Sequence, residues 1–132
     1  MSDVEAPDIV EHESPVAFAA TLERLTLAMS RAGMTLFGTI DHAALARGVG
    51  LTMPPTTVLL YGNPKGGTPI MQANPQAALD LPLRALVRER PDGRVLVGFH
   101  PITAMLGRAG VARELAARLE PAQRLLVAAL AP

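Results

Sequence analysis

The chain has 132 residues, and its twelve basic and twelve acidic side chains cancel, which removes the long-range pull toward nucleic acid or an anionic membrane surface. It has no cysteine, so disulfides, thiolate metal sites and a cysteine nucleophile are excluded. No apolar run approaches the roughly 18 residues of a membrane-spanning helix, and the acidic start Met1-Ser2-Asp3-Val4-Glu5 lacks the basic-then-apolar layout of a secretory leader, so a cytoplasmic location is the default expectation.

Residues Met1 to Pro7 read as a disordered lead-in, and residues 8–132 as a single domain long enough to bury a core. Asp8 to Glu13 alternates enough for a first strand. Ser14-Pro15 supplies an N-cap and a first-turn proline, and a helix should follow. In that helix Phe18, Leu22, Leu25 and Met29 form one apolar stripe, with Gly33 placed for a left-handed C-cap. Met34 to Ile40 reads as a second strand, and Asp41 caps a short alanine-rich helix over His42 to Arg47. Pro54-Pro55 breaks the chain again. Thr56 to Tyr61 is apolar on both faces of the pleat, which suits a strand near the middle of a sheet.

The densest stretch of special residues runs from Leu59 to Pro75. It reads as a strand, a glycine-rich loop over Gly62 to Thr68, and a helix starting at Thr68-Pro69. Asn74-Pro75 restarts a short helix through Leu79. Leu83 to Arg90 and Arg94 to Phe99 flank Pro91-Asp92-Gly93, a hairpin signal, with Arg84, Arg88 and Arg90 marking a wet face. From Val111 the set Leu115, Leu119, Ala122, Leu126 and Leu130 holds helical phase across Pro121, as one kinked helix or two in sequence. The expected fold is α+β: a mixed sheet of about five strands in the order βαβαβαββα, with helices packed on one face.

The block Gly62-Asn63-Pro64-Lys65-x-Gly67-Thr68-Pro69-x-Met71-Gln72 is followed by Asp80-Leu81-Pro82-Leu83. The block Thr35-x-Phe37-x-x-Ile40-Asp41-His42-Ala43 precedes it. Together they resemble the family catalogued as domain of unknown function 302, over about Ile9 to Val111. That resemblance implies a small α+β domain, often an oligomer, whose biochemical role is unassigned. Where the family usually carries Asn-Asp-Pro and Arg-His-Gly, this chain has His100-Pro101-Ile102 and Arg108-Ala109-Gly110.

Three function classes follow. The first is a module that binds a small polar or anionic ligand through the Gly62 to Thr68 loop, with contacts from Asn63, Lys65, Gly66, Gly67 and Thr68 and with Asp41, His42 and Asp80 on its rim. A Walker loop is not present, because Thr68 follows Gly67 directly and Lys65 lies inside the loop. The second is a small enzyme with neutral His42 as general base, since the positive end of a helix dipole disfavours the imidazolium. The third is a structural domain in which Gly66 and Gly67 serve only the backbone, His42 bonds a carbonyl, Asp41 is a cap and Asp80 steadies a turn. The first two need Asp41, His42, Asn63 and Lys65 to share one rim of the sheet. No metal site is expected, because His12, His42 and His100 have no ligand spacing, and no cofactor is expected. Aliphatic surface that a small sheet cannot hide predicts a homodimer.

Overall fold

The computed structural model describes residues 9–132, so the lead-in expected over Met1 to Pro7 lies outside the described residues. Five strands form one sheet in the order β1-β5-β4-β3-β2: β1 (Val10–Glu13), β2 (Thr35–Asp41), β3 (Thr56–Gly62), β4 (Leu83–Glu89) and β5 (Val95–Phe99). The element order is the expected one except for an additional helix over Ile102–Arg108 between the last strand and the C-terminal helices, and the chain is α+β. Every neighbouring pair is antiparallel, where a mixed sheet was expected. The connection from β2 to β3 is long enough for a parallel crossover, yet it folds the chain straight back along its neighbour.

Alternation on the inner strands decides which face carries the core. Leu59 and Tyr61 of β3, Ala85 and Val87 of β4, and Val97 and Phe99 of β5 are buried on one side. Onto that side pack α1 (Phe18–Arg31), α3 (Pro64–Ala73), α4 (Ile102–Arg108), α5 (Arg113–Ala116) and α6 (Glu120–Ala128), whose buried Leu25, Met29, Ile70, Leu106, Ala116 and Leu126 join the same cluster. The expected stripe of α1 therefore faces the sheet. On the opposite side Val58, Leu60 and Leu86 are only half-buried.

Helix starts were less legible than strands. α1 begins at Phe18 after an Ala17 cap that offers no side chain, so Ser14 is not its N-cap. Ser14 is instead buried, its hydroxyl 2.6 Å from that of Thr21. The expected left-handed glycine does follow α1, with Gly33 at φ 73°. A short helix, α2 (His42–Gly48), is capped as expected, the Asp41 carboxylate accepting from the Ala44 N–H at 2.9 Å. The Pro91-Asp92-Gly93 turn closes the β4–β5 hairpin, with Gly93 at φ 86°.

The edge strand β1 is tied across the outer face by a bidentate Arg88–Glu11 pair, at 2.8 and 3.0 Å. The Arg88 hydrogen bond holds the Glu11 carboxyl below the usual carboxylate range. Because the folded value is the lower one, this stabilisation is present above the unfolded carboxylate range and is lost as pH falls through the folded value. Both partners are about a third exposed, so Arg88→Ala should cost under about 1 kcal/mol. The loss should appear near neutral pH and vanish in acid, as read from urea midpoints across pH.

Candidate functional site

The glycine-rich segment is helical. α3 starts at Pro64, four residues earlier than the expected Thr68-Pro69 start, and Gly66, Gly67 and Pro69 all lie inside it. Glycine costs about 0.5–1 kcal/mol in a helix interior relative to alanine, and a proline there removes a backbone hydrogen bond, so local propensity does not explain this helix. Its cap and its packing do. The Asn63 side chain accepts from the Lys65 N–H at 2.9 Å, and Ile70 is fully buried. A Cβ on Gly66 would sit 3.2 Å from the Leu119 side chain, so the missing side chain is what lets α3 approach the turn before α6. Asn63→Ala should cost about 1 kcal/mol through loss of the cap, visible as a lower thermal midpoint.

Beside this helix lies a cavity of about 710 Å³. Its walls come from the end of β3 (Tyr61, Gly62), the cap and first turns of α3 (Asn63, Gly66, Gly67, Thr68, Met71), and the approach to β4 (Leu81, Pro82, Leu83). Phe37 and Met34 close one side, and Arg118, Leu119, Ala122 and Leu125 the other. Phe37 reaches it because the β2–β3 register slips between Leu36 and Gly38, and a bulge of this kind re-aims a side chain. The Leu81-Pro82 peptide in the wall is cis.

The lining is mostly apolar, with Asn63, Thr68 and Arg118 as its polar side chains apart from the inaccessible Tyr61. Tyr61 is fully buried, and its hydroxyl has no hydrogen-bond partner among the described residues. Buried polar groups are almost always paired. Burial pushes the phenol up, so it keeps its proton and remains a donor. Arg118 stands exposed at the mouth.

The expected rim divides. Asn63, Gly66, Gly67 and Thr68 line the cavity. Lys65 is exposed and outside its lining. Asp41 pairs with Thr57 at the start of β3, whereas Asn63 follows the end of that strand. At ~3.3 Å per residue, this places Asp41 and His42 roughly 20 Å from Asn63, so the shared rim is not formed. Asp80 lines a separate hollow of about 210 Å³ with Arg84, His100 and Arg108. Among the described residues no group of three or more His, Asp or Glu side chains could hold a metal. Arg118 and Tyr61 were not singled out in the sequence. A lone tyrosine in a chain with three phenylalanines and no tryptophan was the available signal for the second.

Similar proteins fall into two groups. A crystal structure of an uncharacterised conserved DUF302 protein from Bacillus stearothermophilus superposes with a TM-score of 0.82 at 19% identity, covering 95% of this chain and 97% of that one. At that identity it shows the fold alone. Proteins named fluoride-specific ion channels from Brucella suis and Brucella abortus are 39% identical over 95 residues, covering 72% of this chain. The matched stretch is only 37% and 35% of those proteins, so the chain spans about a third of their length. Among the described residues no helix is long and apolar enough to cross a membrane. The profile of a domain of unknown function, DUF302, matches residues 10–131, and the chain belongs to that family.

Proposed function

We propose that this chain is a small-molecule-binding module whose site is the 710 Å³ cavity between α3 and the start of α6. One observation carries the reading. The residues through which the sequence resembles its family converge on this hollow, Phe37 from one block and Asn63, Gly67, Thr68, Met71 and Leu81 from the other. Its volume lies within the range of ligand pockets, about 300–1,000 Å³, as does its pattern of apolar walls with a few polar groups. The anion-binding loop of the original expectation gives way to a capped helix beside an apolar chamber, and His42 lies too far from Asn63 for the two to share one substrate atom.

A panel of small metabolites read by thermal shift tests this. A ligand that binds only the folded form at about one hundred times its dissociation constant adds about 2.7 kcal/mol, a rise of several degrees. Sodium fluoride against sodium chloride belongs in the panel because of the channel relatives, and we expect no difference between the two salts. A panel with no saturable rise would overturn the reading.

We also propose that the chain self-associates through β2. This edge strand has no charge or proline over residues 35–40, devices that usually guard a sheet edge. Around it Leu36, Phe37, Leu45 and Val49 are exposed. Equilibrium sedimentation should show dimer, and monomer alone at high micromolar concentration would sink the proposal.

A further inference from the structure

Asp80, expected on the rim of the glycine-rich segment, lines instead a second hollow of about 210 Å³, whose lining shares only Leu83 with the chamber beside α3. Its other walls come from separate parts of the chain: Arg84 of β4, His100 after β5, Met105 and Arg108 of α4, and Gln123 of α6. Ala85 pairs with Phe99 across β4 and β5, which sets Arg84 and His100 opposite each other at one end of the sheet. Hydrogen bonds to backbone carbonyls hold this frame. The Gln123 Nε2 donates to the His100 carbonyl at 2.8 Å, and the Gln76 Nε2 donates to the carbonyl of Ala109, next to Arg108, at 3.0 Å. Arg84, His100 and Arg108 are exposed and Asp80 is half-buried, so each is open to a solute. The side chains of Asp80 and Arg84 make no hydrogen bond or ion pair among the described residues, although both residues line one hollow.

We infer that this hollow binds a small α-amino acid, its carboxylate on the Arg84 guanidinium and its ammonium on the Asp80 carboxylate. Charge sets the class. Two arginines beside one aspartate leave an excess of positive charge that draws a carboxylate, and a guanidinium matches that group with two parallel N–H donors. A plain anion would leave Asp80 facing like charge, whereas an α-ammonium neutralises it. Size sets the limit. At about 30 Å³ per water, the hollow has room for roughly seven, so the ligand has only about that many heavy atoms. Leu83 and Met105 in the wall give a short aliphatic side chain an apolar contact.

The test titrates the isotope-labelled chain with L-alanine, propionate, ethylammonium and inorganic phosphate, read from the amide shifts of Arg84, His100 and Arg108 by two-dimensional NMR. L-Alanine should bind at least about ten-fold more tightly than propionate or ethylammonium, because each of those satisfies one of the two charges. Asp80→Asn should weaken L-alanine about ten-fold and leave propionate no weaker, while Arg84→Gln should weaken L-alanine and propionate alike. Arg84 is exposed, so its variant should fold like wild type, and it carries the test if Asp80→Asn melts low. Ala122→Phe, which fills the other chamber, should leave this titration unchanged, so the two sites stand or fall separately. Phosphate or propionate binding as tightly as L-alanine, with no response to Asp80→Asn, would show a plain anion hollow and overturn the assignment. No saturable shift with L-alanine at tens of millimolar would show solvated surface charge and overturn it as well.

Discussion

Ile70→Ala is expected to lower the thermal midpoint by about 10–20 °C and to abolish ligand binding at temperatures where the protein is still folded. Ile70 is fully buried and is the buried residue of α3. Truncating a buried isoleucine costs about 2–5 kcal/mol, the lost transfer energy plus that of the cavity left behind. Against a total stability of 5–15 kcal/mol, typical of such domains, that is a large share. For a chain of this size each kcal/mol moves the midpoint by roughly 3–6 °C. The consequence for the site follows from how α3 is held. With Gly66, Gly67 and Pro69 inside it, the helix has little propensity of its own, so its register depends on Ile70 below and the Asn63 cap above. Loosening Ile70 moves the wall formed by Gly67, Thr68 and Met71. Calorimetric melting with circular dichroism at 222 nm measures the first effect, and a ligand titration the second. A variant that melts within about 3 °C of wild type would show that α3 does not lean on this contact.

The same balance of local and tertiary forces explains what the sequence revealed. Elements punctuated by residues with one strong local preference were legible: the Gly33 stop, the Asp41 cap, the Asn74-Pro75 restart and the Pro91-Asp92-Gly93 turn all sit where expected. α3 was not, because two glycines and a proline state the preference of a loop. The helix forms only through long-range packing, with Ile70 set into the core cluster and Gly66 against Leu119. α4 went unread because it is a seven-residue helix with no side-chain cap, although Ile102, Met105 and Leu106 hold helical spacing.

The site was half legible for a related reason. Residue types at the end of β3 identified one wall, and Asn63, Gly67 and Thr68 line it. What fixes the other walls is strand direction and helix docking. Had β2 run parallel to β3, His42 would stand beside Asn63. Antiparallel pairing sends it to the far end, and the alternation pattern of a strand is the same in either direction. Arg118 could be placed only by knowing that the turn before α6 docks on Gly66, a contact that rests on an absent side chain.

Filling the cavity separates a binding site from a packing defect. Ala122 lies half-buried on α6 at the cavity wall, and Ala122→Phe directs a ring into a space of about 710 Å³. Newly buried apolar surface contributes about 25 cal/mol per Å², so a ring that covers even half of its area should raise stability by about 1–2 kcal/mol, offset in part by any strain against Leu119. If the hollow serves a ligand, the same change should weaken binding at least about a hundred-fold, since ligand and ring compete for one volume, a loss of about 2.7 kcal/mol or more. The two effects therefore have opposite signs in one variant. Stability gains with function lost are the expected trade at a site kept open for a partner. Urea melts give the first quantity, and titration with whichever compound of the thermal-shift panel stabilises wild type gives the second. A variant that is more stable and binds as well as wild type would place the ligand elsewhere and leave this chamber as an unfilled gap in the core.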